Sequence, residues 1–505
     1  MNFTSFHFLG FFVVTIIIGH WLKNRKQRIF FLVASYYFYG VFEPYYLILI
    51  FFSTLWDYVA ALGIAARRAG KTSGLGRLPE RGWLTASLIL NLGLLGYFKY
   101  TNFGLTILND VHPLGNTIFA WPFLNILLPV GISFYTFQSM SYTIDVYRGL
   151  IPARQSLVDF ALYVSFFPQL VAGPIVRADT FFNQLDDRLP IGPDDIIVGL
   201  TRILVGFFRK LVLSDNLAPL VTEVFLRHNE HGPLDIWIAS MGFAWQIYLD
   251  FAGYTDIARG LARLFGFEFN INFLYPMAAR NITDHWQRWH ISFTTWLRDY
   301  IYIPLGGSRG HPVRVQFNIV LVWLFGGVWH GPAYHFVAWG LWQAVMQLVH
   351  RYYSRTTLRA FLNERGGLTY NIVSRIFLFF NLNFGFIWFR AADMQVATNM
   401  QGRLFGGYQA YDAIREIWNW VRGRGSLEAA ILHWQGPAGW AAPDSQYSIF
   451  AVVLALYFVY EITFNHLQLE YFWKPENRSK LIVLLILLIF FILVFTPAES
   501  PTFAY

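Results

Sequence analysis

Residues 6–28 read FHFLGFFVVTIIIGHWLKNRKQR, an apolar run that leads directly into a basic one. The apolar part, residues 6–22, is long enough to cross most of a bilayer as a helix. It lacks the basic start and the small-residue cleavage site of a signal peptide, so we expect a retained helix. Short basic loops stay in the cytosol. The run 23–28 therefore predicts that the N-terminus lies outside.

The whole chain shares this apolar character. Of its 505 residues, 55% are hydrophobic, 19% are aromatic and 13% are charged, whereas soluble domains carry about 25% charged residues. This composition excludes a disordered chain, a collagen-like fibre and an ordinary cytosolic enzyme. The absence of cysteine excludes disulfides, thiolate metal sites and a cysteine-bound acyl intermediate. The net charge of +8 comes from short loops between apolar segments, which indicates membrane topology rather than nucleic-acid binding.

Further apolar segments follow to the end of the chain, and proline or paired glycines interrupt several of them. Residues 29–66 exceed one span, and Glu43-Pro44 divides them. The others lie near 83–100, 121–147, 157–176, 196–213, 236–258, 316–329, 333–350, 370–389, 447–465 and 481–495. The fold predicted is an all-α, polytopic membrane protein with about eleven to thirteen transmembrane or re-entrant helices. Residues 1–505 are expected to form one membrane domain, with 391–446 as a polar surface insertion.

Residues 250–335 concentrate ionisable and aromatic side chains inside this apolar chain. Such residues at membrane depth are costly and usually face a cavity or one another, so we expect a site here. Asp250 and Asp256 bracket a glycine and are expected to satisfy exposed backbone at a helix break. Between 280 and 314 there are five arginines against two aspartates, an excess of +3. An ordinary cytosolic loop explains this excess; the alternative is a basic mouth for an anionic donor, with Arg288 and Arg309 as its binding residues.

The motifs of this chain resemble those of the membrane-bound O-acyltransferase family, in its bacterial branch of polysaccharide O-acetyltransferases. The matching stretches, in order, are 167–175 (FPQLVAGPI), 250–256 (DFAGYTD), 286–292 (WQRWHIS), 296–307 (WLRDYIYIPLGG) and 329–331 (WHG). The resemblance implies helices around a central funnel. It also implies that His330, in the Trp-His-Gly motif, is catalytic and that His290 is the second important histidine.

The resemblance further implies how acyl groups travel. Related members pass an acyl group from a cytosolic thioester donor, here acetyl-CoA or another acyl thioester, towards an exported acceptor. An extracytoplasmic partner of the SGNH-hydrolase type often completes the transfer. We therefore expect a multi-pass protein of the bacterial cytoplasmic (inner) membrane, with no bound cofactor and no nucleic-acid partner.

The residues themselves give His330 a chemical role. A neutral imidazole can take the proton of a hydroxyl acceptor as that hydroxyl attacks a thioester. The alternative for His330 is a histidine bonded to a backbone carbonyl at a helix end. His290 has three possible roles: orienting His330, binding the donor carbonyl, or packing. Metal binding is not expected, because His285 and His290 are five residues apart, as are His330 and His335, so neither pair shares a helix face.

The function predicted is transfer of an acetyl group from a cytosolic thioester towards an exported polysaccharide, in alginate-, cellulose- or peptidoglycan-type acetylation. Two alternatives stay open. One is D-alanyl transfer to a teichoic acid. The other is a non-enzymatic acyl conduit or transporter, which would show no thioester turnover.

Overall fold

The computed structural model describes residues 3, 5–41, 43–111, 121–171, 173–188, 190–405 and 477–497. Every element of regular structure in these ranges is helical. The chain divides into two compact units, residues 1–203 with 255–271 and residues 204–254 with 272–505. The prediction of one domain over 1–505 stays a prediction.

The first unit holds the N-terminal helices. Its helices are α1 (Phe6–Trp21), α2 (Asn24–Gly40), α3 (Tyr46–Arg68), α4 (Glu80–Leu95), α5 (Thr101–Val111), α6 (Ile132–Arg148), α7 (Leu157–Ser165), α8 (Phe167–Leu170), α9 (Ala178–Asp186) and most of α10 (Pro193–Phe207). The predicted break at Glu43-Pro44 is confirmed, because α2 ends and α3 begins on either side of it. The segment predicted from residue 121 becomes helical only at Ile132, after Gly131 with φ +76°.

Phenylalanine rings fill the core of this unit. Phe166 lies 5.1 Å from Phe267 and 5.9 Å from Phe167, while Phe31 and Phe167 lie 5.1 and 5.7 Å from Phe265. All five side chains are buried. Burial of one such side chain contributes about 1.5–3 kcal/mol, so this cluster holds distant parts of the sequence together.

The second unit holds the remaining helices. They are α11 (Asp215–Leu226), α12 (Pro233–Leu264), which also supplies residues to the first unit, α13 (Ile282–Arg288), α14 (Ile291–Leu297), α15 (Pro312–His330), α16 (Tyr334–Tyr353), α17 (Thr357–Arg365), α18 (Gly367–Arg390), α19 (Met394–Phe405) and α20 (Arg478–Phe495). Wider π-helical turns span Phe208–Ser214 and Arg298–Tyr302.

The DFAGYTD motif does not break its helix, contrary to the sequence expectation. It lies within α12, which runs for 32 residues without interruption. A Cβ on Gly253 would lie 2.7 Å from the Gly206 carbonyl oxygen, so this glycine permits close packing of backbones. Asp250 forms an ion pair of 2.6 Å with Lys210, which also binds Asp215 at 2.7 Å.

Three described helices are long and apolar enough to cross a membrane: α3, α15 and α18. Residues 6–21 and 479–495 are shorter apolar helices. The all-helical class is confirmed, while the predicted eleven to thirteen spans and their funnel are not established by these helices. Of the expected polar insertion, α19 is described, and residues 406–446 lie outside the described residues, as does the segment 447–465.

Candidate active site

Two short helices, α13 and α14, bring the predicted His290 into place. The Asn281 side chain caps α13 by accepting the backbone N–H of Asp284 at 2.9 Å. Helix α13 is then fastened to α16 by two side-chain bonds, Thr283 Oγ1 to Gln347 Oε1 at 3.0 Å and Trp286 Nε1 to Gln343 Oε1 at 3.3 Å. The position of α13 therefore depends on α16.

His290 is the residue at which α13 gives way to α14. Its backbone is left-handed, with φ +42° and ψ +54°, a conformation that is rare for any residue except glycine. Asn272 supports the turn, since its carbonyl accepts the N–H of Ile291 at 2.9 Å and its side-chain oxygen accepts the N–H of Ser292 at 3.1 Å. Backbone strain of this kind costs about 1–3 kcal/mol and is concentrated at functional sites.

Aromatic rings surround the His290 imidazole, which is 1% exposed. Ring centroids lie 4.7 Å away for Phe251, 5.0 Å for Phe293 and 6.1 Å for Trp329. The Phe293 ring is nearly parallel to the imidazole, at 24°. The imidazole of His290 is thus packed among aromatic rings.

His330 is the last residue of α15, which pairs with α16 as a helical hairpin. Two glycines allow the helices to meet closely. A Cβ on Gly327 would lie 2.4 Å from the Phe336 carbonyl oxygen, and one on Gly340 would lie 2.5 Å from the Trp323 carbonyl oxygen. The backbone contact therefore fixes where His330 sits against α16.

The His330 imidazole is half-buried among four aromatic rings. The centroid distances are 4.8 Å to Trp329, 4.9 Å to Phe389, 5.2 Å to Trp339 and 5.8 Å to Phe293. His330 is therefore the more accessible of the two histidines, since His290 is fully buried.

The two imidazoles share neighbours. Phe293 and Trp329 both contact His290 and both contact His330, and their own rings are stacked at 4.2 Å. The structure thus brings the two predicted histidines to one aromatic cluster, which we call the histidine cage: His290, Phe293, Trp329 and His330. Their catalytic roles stay a prediction.

A cavity of about 840 Å³ lies beside the cage, between α13, α14, α15 and α16. We call it the basic cavity, because Arg298, Arg351, Arg359 and His350 line it against Asp284. Trp286 also lines the cavity, and its ring centroid lies 4.4 Å from that of Trp323 and 5.9 Å from that of Trp339. The Trp339 ring in turn lies 5.2 Å from the His330 imidazole. Trp339 therefore connects Trp286, in the cavity wall, to His330.

Arg288 and Arg309, the donor-binding residues predicted from the sequence, lie outside the lining of the basic cavity. The Arg288 Nε donates to Asp284 Oδ1 at 2.6 Å, and the exposed Arg309 lies in the turn that follows Gly306. Partial burial raises the pKa of the Asp284 carboxyl, but hydrogen bonds from Arg288 and from the Arg280 backbone N–H lower it by more, so its pKa lies below the ordinary value.

Two cavity arginines, Arg351 and Arg359, were missed by sequence reasoning. Both are half-buried, and within the described ranges no carboxylate forms an ion pair with either. The sequence shows Arg351, Arg355 and Arg359 close together after an apolar segment, but Arg351 belongs to α16 and Arg359 to α17, so their meeting at one cavity depends on the turn between these helices. Arg298, which also lines the cavity, forms an ion pair of 2.7 Å with Asp299.

Three other histidines of residues 250–335 have structural partners. His285 Nδ1 lies 3.2 Å from the Pro276 carbonyl, His335 Nδ1 lies 2.7 Å from the Trp388 carbonyl, and His311 Nδ1 accepts the N–H of Val313 at 3.3 Å. These contacts give the three side chains packing or loop roles. Within the described residues, no group of three or more His, Cys, Asp or Glu side chains is placed to hold a metal ion.

Known proteins are similar to this chain in sequence. The profile of the membrane-bound O-acyltransferase family matches residues 150–389, which include the whole histidine cage. A probable alginate O-acetylase of Pseudomonas putida is 37% identical over 409 residues, covering 80% of each chain. The chain belongs to the membrane-bound O-acyltransferase family. The predicted class of enzyme, an O-acyltransferase, is thereby confirmed.

Two further relatives differ in their sequence identity to this O-acyltransferase and in the fraction of its chain that they cover. A peptidoglycan O-acetyltransferase of Helicobacter pylori is 33% identical, over 79% of this chain and 77% of its own. A teichoic acid D-alanyltransferase of Bacillus subtilis is 26% identical, over 53% of this chain and 73% of its own. The acetyltransferases are thus the more similar relatives among these.

Proposed function

We propose that this enzyme takes an acetyl group from a cytosolic thioester, acetyl-CoA or another acyl thioester, and passes it towards an exported polysaccharide of the alginate, cellulose or peptidoglycan type. The observation that carries the proposal is the histidine cage beside the basic cavity. The names of the two more similar relatives support acetyl transfer to such acceptors. D-alanyl transfer is disfavoured because the D-alanyltransferase aligns with only about half of this chain.

In the proposed reaction, the acceptor hydroxyl oxygen attacks the carbonyl carbon of the thioester. The neutral His330 imidazole takes the hydroxyl proton as the new C–O bond forms. The C–S bond then breaks, and the departing thiolate takes up the proton that His330 releases. His290, packed on the same two rings, supports the position of His330.

The basic cavity would hold the anionic part of the donor. Guanidinium groups bind phosphates through charge-assisted hydrogen bonds. Arg351 and Arg359 line the cavity and have no carboxylate partner among the described residues, so their donors are available to a ligand. Arg288 and Arg309, the binding residues expected from the sequence, remain candidates for contact with the donor before it enters.

The proposal includes the setting of the enzyme. We place it as one multi-pass domain in the bacterial inner membrane, with its helices around a funnel. An extracytoplasmic partner of the SGNH-hydrolase type would finish the transfer to the polymer. The three candidate spans and the family support the membrane location.

Replacing His330 with alanine tests the mechanism. Acetylation of the polymer should fall by about 10²–10⁴-fold, because a general base contributes that much to the rate. His330→Gln should not restore it, since an amide cannot take the proton. The measurement is polymer-bound acetate in cells, with membrane abundance determined by immunoblot.

The control is His335→Gln, which keeps a donor for the Trp388 carbonyl that His335 binds. It should retain most of the activity. Normal polymer acetate in His330→Ala at normal abundance would contradict the mechanism and favour a conduit. Turnover of a short acyl thioester by the purified wild-type enzyme, lost in His330→Ala, would exclude the conduit.

A further inference from the structure

A second cavity opens between α16, α17 and α18, with a volume of about 760 Å³. We call it the α16–α18 groove. Its walls are mostly apolar, with Met346, Val349, Leu362, Val373, Phe377 and Leu378 among the lining residues. One end is polar and basic, with Arg280, His350 and Arg359. The groove therefore has an apolar body and a cationic end.

The apolar wall of the groove includes exposed side chains of a candidate membrane span. Helix α18 is one of the three helices able to cross a membrane. Val373 and Phe377 line the groove and yet are 56% and 63% exposed, and the same helix also exposes Ile372 and Ile376. Large apolar side chains along a candidate span face lipid. The groove is thus continuous with the surface that lipid chains would cover.

The basic end of the groove is at the cytosolic end of these helices. The residues between α16 and α18 include Arg355, Arg359 and Arg365, and such clusters mark the cytosolic side. Helix α17 exposes Leu358 and Phe361 there, as a helix lying at the interface would. The hydroxyls of Tyr353 and Tyr370 bond at 3.0 Å and so hold the ends of α16 and α18 together across the groove.

The charges of the groove favour an anion. Its lining residues include no aspartate or glutamate. Within the described chain, neither the Arg280 nor the Arg359 guanidinium forms an ion pair, although Asp284 accepts the backbone N–H of Arg280 at 3.0 Å. Asp284 is itself bound by Arg288. Both guanidinium groups therefore have donors free for a ligand.

We propose that the α16–α18 groove binds one anionic phospholipid of the cytosolic leaflet. Its phosphate would lie at Arg280 and Arg359, and an acyl chain would lie along Val373 and Phe377. Basic pockets between transmembrane helices on the cytosolic side hold anionic headgroups in this manner. The apolar wall selects a lipid over a free phosphate, since a soluble anion leaves that wall uncovered. This inference stands apart from the acetyl-transfer proposal.

The experiment uses the full-length enzyme in nanodiscs and in detergent. Native mass spectrometry should detect one retained phosphatidylglycerol, and phosphatidylglycerol should raise the thermal midpoint more than phosphatidylcholine does. Arg280 lines the groove but not the basic cavity. Arg280→Gln should weaken phosphatidylglycerol retention about tenfold, the effect of losing one charge-assisted hydrogen bond.

Two more variants complete the design. Val373→Trp fills the groove from its exposed wall and should reduce retention while leaving Arg280 in place. Arg355→Gln is the matched control, because Arg355 is exposed at the same end of the helices and lines neither cavity. It should retain the lipid as the wild type does.

Three results would overturn the proposal. Equal stabilisation by inorganic phosphate would make the groove a soluble-anion site. Equal retention of phosphatidylcholine would remove the role of charge. Unchanged retention in both Arg280→Gln and Val373→Trp would place any bound lipid elsewhere. Because each variant is tested by lipid retention, loss of acetyl transfer does not affect the outcome.

Discussion

At the scale of single residues, His290 joins a rare backbone conformation to a buried imidazole. Left-handed backbone costs an ordinary L-residue about 1–2 kcal/mol, whereas glycine adopts it freely. His290 holds φ +42° between α13 and α14, and Asn272 holds the start of α14 in place. The surrounding structure therefore enforces the position of this side chain.

This conformation predicts an unusual order of stability. His290→Gly and His290→Ala both remove the imidazole and leave similar space, and they differ only in the Cβ. Because of the left-handed backbone, the glycine variant should be more stable by about 1 kcal/mol. Thermal midpoints in detergent measure this difference.

Activity gives the second measurement for the same pair. Both variants should lose acetylation to a similar extent, since both lack the ring packed on Phe293 and Trp329. An alanine variant as stable as the glycine variant would show that the left-handed turn relaxes easily. Equal and normal acetylation in both would remove His290 from the mechanism.

The sequence places both predicted histidines in recognisable motifs but does not reveal the side chains that complete their surroundings. The Trp-His-Gly and Trp-x-x-Trp-His motifs are contiguous, so a resemblance can locate them. Phe389 and Trp339 reach His330 from separate helices, and their positions depend on helix packing that periodicity does not report. The same is true of Arg359, whose contact with the basic cavity depends on where α17 turns back.

At the scale of helices, α15 and α16 are positioned by backbone contact. The neighbouring glycines of α15 differ sharply in their surroundings. A Cβ on Gly327 would lie 2.4 Å from a backbone oxygen, whereas a Cβ on Gly326 would have its nearest neighbour at 3.7 Å. Small residues of this kind let transmembrane helices approach each other closely.

This difference predicts that Gly327→Ala separates the helices while Gly326→Ala does not. The alanine at 327 should move His330 relative to Trp339, and a misplacement of about 1 Å can reduce the rate about 100-fold. Polymer-bound acetate at equal membrane abundance measures the effect. Near-normal activity in Gly327→Ala, or equal losses in the two variants, would contradict the role of this contact.

Helix boundaries show where sequence reasoning reached its limit. Proline marked the break between α2 and α3 correctly, because proline lacks the amide hydrogen that a helix needs. The sequence also predicts a helix break around Gly253, yet α12 continues through it. Gly253 allows the backbone of α12 to lie close to the Gly206 carbonyl. Only the three-dimensional packing distinguishes this use of glycine from a helix break.

At the scale of the whole molecule, ion pairs gather the basic loops of the first unit at one end. Arg28 and Arg154 both bind Asp159, at 2.9 and 2.5 Å, and both bind Asp186. Arg68 donates to the Val146 carbonyl at 3.0 Å, which adds the loops after α3 and α6. This arrangement agrees with the placement of these loops on the cytosolic side.

A topology test follows from this arrangement. Reporters fused after Arg28 or Arg81 should both indicate a cytosolic location, because both positions belong to basic loops. A fusion at Tyr505 should indicate the opposite side, since Lys474, Arg478 and Lys480 precede the last apolar segment. Paired alkaline phosphatase and green fluorescent protein fusions measure this. A periplasmic signal after Arg28 or Arg81 would reverse the orientation of the enzyme.

Three side chains, Asn281, His350 and Arg359, form a common wall of the basic cavity and the α16–α18 groove. If the cavity binds the donor and the groove binds a lipid, as proposed, their occupancies would be thermodynamically linked through these shared residues. A ligand that recruits Arg359 on one side changes the affinity on the other, and the change in free energy is the same in both directions. The rate of the enzyme would therefore depend jointly on membrane composition and on the supply of the donor, and neither effect could be measured independently of the other.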